Sequence, residues 1–120
     1  MVEASCHCGA VRLQVAEAPA KVTDCNCSIC RRLGALWAYC RSDQVRVAAR
    51  PSATIAYVQG DRTLAIHHCR TCGCTTHWTG LGEAEERAAI NARLLPPEIL
   101  AKARVRRFDG AVSFTYPDET

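Results

Sequence analysis

The sequence predicts a mainly β domain with one or two short helices. Several short runs alternate apolar and polar residues, as Val11, Leu13 and Val15 do with their polar neighbours, and this is the two-residue period of a half-buried strand. Turn-forming residues separate these runs. The pair Asp109-Gly110 lies between two of them and is a strong hairpin signal.

The predicted elements follow the chain in order. Strands are predicted at residues 11–15, 44–48, 54–58, 64–68, 75–79, 104–108 and 111–116. Residues 83–95 fit either a helix, from their charged first half, or a strand, from the alternation in their second half. Residues 97–102 predict a short helix, because proline is well suited to the first helical turn.

The bulk composition limits the class of protein. A chain of 120 residues predicts one domain, and 48% hydrophobic with 22% charged residues is typical of a soluble globular protein. A net charge of +3 is too small to indicate nucleic-acid binding. The residues after Met1 do not resemble a secretory leader, and no run reaches the roughly 18 apolar residues of a membrane span. We therefore expect a cytoplasmic protein.

Nine cysteines are the unusual feature of this composition. In a reducing compartment thiols stay unpaired, and an odd number suits a disulfide framework poorly. Seven of the nine lie in short-spaced motifs, which favours metal thiolate sites.

The motif Cys69-x-x-Cys72-Gly73 predicts one half of a structural zinc site. Two intervening residues let both thiolates reach one tetrahedral ion, and glycine permits the positive φ of the following turn. Cys6-x-Cys8 is the natural second half, brought alongside by sheet pairing. Four thiolates would fill the coordination shell, so the ion would be structural and would add to folding stability.

Cys25, Cys27 and Cys30 predict a second zinc site with three protein ligands. Three ligands and an open position are typical of a catalytic zinc, and an all-thiolate shell suits an incoming thiolate. The following Arg31 and Arg32 can offset the net negative charge and bind an anionic substrate. A solvent-open site also loses metal or oxidises easily, so the second site can be partly occupied.

The roles of the other cysteines and of the histidines stay open from the sequence alone. Cys40, Cys74 or a histidine can close the three-cysteine site structurally. Cys40 is otherwise expected to be a buried apolar thiol, and Cys74 a spare thiol near the first ion or a ligand of the second. The histidines are expected to serve packing or the surface, and the candidates by type for a general acid or base are His67, His68 and Asp24.

Taken together, these motifs resemble the glutathione-dependent formaldehyde-activating family, which also includes centromere protein V. The matching stretches cover nearly the whole chain in the family's order: "CHCGAV", "CNCSICRRLGA", "YVQGD", "HCRTCGCTTHW", "INARLLP" and "RRFDG".

The resemblance implies a β-tent fold over residues 1–120, with small antiparallel sheets held by zinc. It implies a structural zinc on Cys6, Cys8, Cys69 and Cys72, and a catalytic-type zinc on Cys25, Cys27 and Cys30. The implied activity is the condensation of glutathione, or a related small thiol, with formaldehyde to S-hydroxymethylglutathione, which is classed as a carbon–sulfur lyase reaction. Fold does not fix function, however, and the alternative is a non-catalytic zinc module that binds a protein partner.

Overall fold

The computed structural model describes residues 1–119. The strands found there are β1 (Val2–Ser5), β2 (Arg12–Val15), β3 (Lys21–Cys25), β4 (Trp37–Arg41), β5 (Val45–Ala48), β6 (Thr54–Val58), β7 (Leu64–Cys69), β8 (Thr75–Gly80), β9 (Arg87–Asn91) and β10 (Arg104–Phe108). The α-helices are α1 (Ser28–Leu33) and α2 (Pro97–Leu100), and short 3-10 helices cover Ser42–Gln44, Gly82–Ala84, Ala92–Leu94 and Pro117–Glu119. The predicted mainly β fold with one or two short helices is confirmed, with two α-helices present.

The strands form two sheets. A three-stranded antiparallel sheet has the order β1-β2-β5, and a seven-stranded sheet has the order β10-β3-β4-β9-β8-β7-β6. Within residues 1–119 the exception to antiparallel pairing is β10, which runs parallel to β3 with Thr23 opposite Arg106 and Cys25 opposite Phe108. This pair brings the last strand beside the cysteine motif that ends β3.

The centre of the larger sheet is buried on both faces. Trp37 and Ala89 belong to one hydrophobic cluster, whereas their chain neighbours Ala38 and Ile90 belong to the other. Side chains of consecutive strand residues point to opposite faces, so the two clusters cover the two sides of the sheet. The first cluster includes the buried Leu13 of the smaller sheet, and partly buried residues of α1 pack against the second.

Capping residues mark both ends of α1 and the start of α2. The Cys27 thiol accepts a hydrogen bond from the backbone of Cys30 at the start of α1, and Gly34, with φ +67°, ends the helix. α2 begins at Pro97 as predicted, where the missing N–H costs no helical hydrogen bond. Within residues 1–119 no helix has the length and apolar character needed to cross a membrane.

Six of the predicted strands are present to within about one residue, whereas the strand predicted at 111–116 is wrong. The Asp109-Gly110 hairpin is replaced by a tight turn with one isolated bridge, between Asp109 and Thr115. The Asp109 carboxylate accepts hydrogen bonds from the backbone N–H groups of Val112 (3.2 Å) and Ser113 (3.1 Å), and these side-chain bonds compete with a strand ladder.

Candidate metal centres

The first cysteine cluster joins the N-terminal segment to the middle of the chain. The Sγ atoms of Cys6, Cys8, Cys69 and Cys72 all lie within 4.8 Å of one another. The Cys8 thiol is 3.7 Å from that of Cys6 and 3.6 Å from that of Cys69. These are the four residues that the sequence predicts for one site, and together they can hold a metal ion.

Backbone turns direct amide groups at the sulfurs of this cluster. The Val11 N–H donates to Cys6 Sγ at 3.3 Å, and the Cys72 N–H donates to Cys69 Sγ at 3.5 Å. The following Gly9 and Gly73 have φ of +83° and +79°, which only glycine adopts without strain. Donors of this kind favour thiolates over thiols, as a metal site requires.

The pKa values of two thiols in the first cluster are shifted in opposite directions. Hydrogen bonds from the backbone of Cys74 and Cys8 lower the pKa of Cys72 to about 5. A backbone hydrogen bond from Ala10 also lowers the pKa of Cys8, but desolvation and the thiols around it outweigh that bond and raise the pKa to about 11. Thiolates held this close repel each other, so the full set ionises together only around a cation.

The second cluster contains Cys25, Cys27 and Cys30, whose Sγ atoms also lie within 4.8 Å of one another. Cys25 is the last residue of β3, Cys27 precedes α1, and Cys30 lies in the first turn of α1. Trp37 of β4 donates its indole N–H to Cys30 Sγ at 3.3 Å. A strand end, a helix start and a neighbouring strand therefore position the three sulfurs.

Burial and hydrogen bonding act differently on the three thiols. Burial raises the pKa of the Cys25 thiol and of the Cys30 thiol. Burial would also raise the pKa of Cys27, but hydrogen bonds, first of them from the Cys30 backbone, outweigh it and lower the pKa. Cys27 is therefore the thiol that ionises most readily in this cluster.

No fourth ligand from the described part of the chain completes the second cluster. In residues 1–119 no further His, Cys, Asp or Glu offers a ligand atom within 4.8 Å of all three sulfurs. Cys40 is half-buried in β4, where burial raises its pKa. Cys74 lies beside the first cluster, where its thiol contacts Cys72.

A turn formed by Asp109–Thr115 packs against the second cluster and was not predicted from the sequence. A Cβ atom built on Gly110 would lie 2.7 Å from Cys25 Sγ and 3.3 Å from Cys27 Cβ, so only glycine fits there. Asn26 fastens this turn, since its side chain donates to Asp109 Oδ1 at 3.1 Å and accepts from the Ala111 N–H at 3.0 Å. The Asp-Gly pair was the available signal, but it also fits an ordinary hairpin.

Hydroxyl groups lie next to the second cluster on the same face of the sheet. The buried Thr23, two residues before Cys25, has its Oγ1 atom 3.4 Å from the Tyr116 hydroxyl. Tyr39 of β4 is near these groups, and burial together with the neighbouring Tyr116 and thiols raises its pKa to about 12. None of these three residues was predicted as part of the site.

The other residues predicted by type lie at several places. Arg31 and Arg32 are exposed in α1, and Arg32 donates to the backbone oxygen of Ser28 at 2.7 Å. Asp24 is exposed on β3. The remaining imidazoles are those of His7, which is exposed, His68, which is half-buried, and His67 and His77, which stack within the sheet.

Comparison with known proteins agrees with this architecture. Residues 1–107 match the family model described as glutathione-dependent formaldehyde-activating enzyme. The chain belongs to this family. The resemblance stated from the cysteine motifs is thereby confirmed, and a domain with cysteine clusters able to bind metal follows from family and geometry together.

A solved structure supports the same assignment. A crystal structure of a Rhodobacter sphaeroides protein is 33% identical, covers 86% of this chain and 98% of its own, and superposes with a TM-score of 0.70. The match to the family model ends at residue 107. The turn that packs on Cys25 therefore lies beyond the residues that match the family model.

Proposed function

We propose that this chain is a zinc-dependent carbon–sulfur lyase that condenses glutathione, or a related small thiol, with formaldehyde at its three-cysteine cluster. The observation that carries the proposal is the pairing of a four-thiol cluster with a three-thiol cluster to which residues 1–119 add no fourth ligand. Four ligands are typical of a structural zinc, and three are typical of a zinc that accepts a substrate.

The donor set fits zinc at both clusters. Soft thiolates at short mutual distances suit Zn²⁺, whereas magnesium and calcium prefer oxygen. Cys6, Cys8, Cys69 and Cys72 would hold the structural ion, and Cys25, Cys27 and Cys30 the second. When bound, zinc would lower the pKa of an incoming thiol and hold it as the thiolate. Free thiols and metal thiolates suit a reducing cytoplasm.

The proposed reaction is the addition of a thiol across the carbonyl group of formaldehyde. The sulfur forms a bond to the carbonyl carbon, and the π electrons of the C=O bond move to the oxygen. That oxygen takes up one proton and the thiol loses one, so protons and charge balance. No oxidant or reductant is required. The reverse reaction breaks the same carbon–sulfur bond and releases formaldehyde.

The chain's own residues would orient the reactants. The indole of Trp37 holds Cys30, and the turn fastened by Asn26 restricts access beside Cys25. The exposed Arg31 and Arg32 follow Cys30 directly and would bind a glutathione carboxylate. If replacing both by alanine left the affinity for glutathione unchanged, these arginines would have no part in binding.

The first test is the zinc content of protein purified without chelator or oxygen. We expect two zinc ions per chain in the natural sequence and one in folded Cys27→Ser. We also expect glutathione to bind the natural protein and not the variant, with S-hydroxymethylglutathione formed when formaldehyde is added. Two tightly bound zinc ions without glutathione binding would instead support the non-catalytic zinc module, and one zinc in both proteins would contradict the second site.

A further inference from the structure

Two arginines of β10 bind a carboxylate on the face of the sheet that carries Cys25. Arg106 donates from Nε to both oxygens of Glu119, at 3.1 and 2.9 Å, and Arg104 Nη2 is 3.1 Å from Oε1. Residues two apart on a strand point to the same side, so both guanidinium groups converge on one carboxylate. Two arginines that share one carboxylate form an anion-binding site.

Strand register places this anion site next to the three-cysteine cluster. Arg106 lies opposite Thr23 and Phe108 lies opposite Cys25 in the parallel pair of β3 and β10. The Arg106 guanidinium stacks 3.7 Å from the centre of the Tyr116 ring, whose hydroxyl is 3.4 Å from Thr23 Oγ1. Cys25 is two residues further along the strand, a distance of roughly 7 Å.

That separation suits a small peptide thiol. An extended tripeptide spans roughly 10 Å, so a ligand with its sulfur at Cys25 can place a carboxylate near Arg106. The two arginines lie within residues 1–107, the part that matches the family model, whereas the occupant Glu119 lies outside it. Glu119 and the two arginines that donate to it therefore belong to different parts of the chain.

The present occupant is accessible from solvent. The side chains of Arg104 and Glu119 are 66% and 27% exposed, and an ion pair with so exposed an arginine contributes little to stability. Arg106 is the more enclosed partner, at 18%. A free carboxylate that is also held through its sulfur can compete with Glu119 for the same guanidinium groups.

We infer that Arg104 and Arg106 form a carboxylate-binding subsite for the thiol substrate, and that Glu119 occupies this subsite until a substrate carboxylate displaces it. The inference rests on the proposed function, because it takes the substrate to be a carboxylate-bearing thiol bound at the three-cysteine cluster. Glutathione has two carboxylates, so the subsite on β10 binds one of them in addition to the one proposed at Arg31 and Arg32 of α1.

The test uses the zinc-loaded full chain and isothermal titration with two probes, glutathione and S-methylglutathione. S-methylglutathione keeps both carboxylates but has no free thiol. We expect Glu119→Gln to bind both probes about fivefold more tightly, because the competing internal carboxylate is gone. Glu3→Gln is the matched control, since Glu3 pairs with Arg12 at 3.2 Å on an exposed surface elsewhere, and it should leave both affinities unchanged.

A second variant tests the arginines without disturbing the ring stack. Arg104 is exposed and pairs with Glu119, whereas Arg106 also contacts Tyr116. Adding Arg104→Gln to the Glu119→Gln variant should remove most of the gain for both probes. Unchanged affinity of both probes in Glu119→Gln would overturn the inference.

The two proposals fail in different ways. If glutathione binds no more tightly than S-methylglutathione to the natural protein, the thiol contributes nothing and the proposed function is wrong. The carboxylate subsite is judged separately, by the response of S-methylglutathione to Glu119→Gln.

Discussion

Gly110 is the residue whose missing side chain most directly shapes the second cluster. A Cβ atom there would meet Cys25 Sγ at 2.7 Å, closer than carbon and sulfur can approach. We predict that Gly110→Ala displaces the turn or Cys25, and that the zinc content falls from two ions toward one while the fold is kept. Elemental analysis and circular dichroism together measure this outcome.

The control for Gly110→Ala is Ala111→Ser. Ala111 is the next residue of the same turn, but it is exposed, so one added atom meets solvent. Zinc content should stay at that of the natural protein. Equal zinc contents in Gly110→Ala and the natural protein would mean that the turn yields freely and does not define the site.

Spacing along the chain reveals which cysteines group together, but not which remote residues join them. Cys25, Cys27 and Cys30 were predicted as a set because short spacing alone brings their sulfurs together. Thr23 and Tyr116 were missed because their contact depends on the docking of a segment more than ninety residues away. A hydroxyl in a strand and a tyrosine near the end of the chain carry no motif that links them.

At the scale of elements, clear alternation made a strand such as β2 predictable, whereas β1, β3 and β4 were not predicted and β9 was left open between helix and strand. β2 alternates clearly, since one of its faces is in the core and the other is partly in solvent. In β9 four of the five residues are buried, so the apolar pattern of Arg87–Asn91 fits a helix or a strand equally well. β4 was missed for a related reason, because Trp37 and Ala38 are buried on opposite faces.

The pairing of β7 with β8 predicts a pH-dependent stability. His67 and His77 lie opposite each other with their rings stacked 4.4 Å apart, and desolvation together with the neighbouring imidazole lowers the pKa of His77 to about 4. An unfolded histidine has a pKa near 6.5, so between these values the unfolded chain binds the extra proton. The contribution of His77 to the free energy of unfolding is therefore fully present above about pH 6.5 and is lost as the pH falls toward 4.

The expected loss is about 2 kcal/mol in the free energy of unfolding between pH 7 and pH 5, from His77 alone. Urea unfolding of the zinc-loaded protein at the two pH values measures it. His77→Gln keeps a partner for the Thr76 hydroxyl, which is 2.8 Å from His77 Nδ1, and removes the titrating group. Its stability should change by about 2 kcal/mol less over the same range, whereas an equal change would assign the effect to other groups, including the zinc thiolates.

At the scale of the whole molecule, the two cysteine clusters differ in how far apart in the sequence their ligands lie. Cys6 and Cys69 belong to the hydrophobic cluster that joins the two sheets, and a metal there fastens residues more than sixty positions apart. Cys25, Cys27 and Cys30 lie within six residues of sequence, on the face covered by α1. A metal in the first cluster therefore closes a long loop, which restricts the unfolded chain far more than closing a short one.

Cys8→Ser separates a ligand's contribution to stability from that of burial. The Cys8 side chain is exposed, so its replacement should cost little unless it binds metal, and Cys74 is half-buried beside the same cluster. We predict that Cys8→Ser loses one zinc and lowers the melting temperature by on the order of 10 °C, because metal binding adds to folding free energy. Cys74→Ser should keep both zinc ions and melt within a few degrees of the natural protein, as measured by calorimetry with zinc analysis. If burial alone set the stability, the order of the two variants would be reversed, and the first cluster would not be a structural metal site.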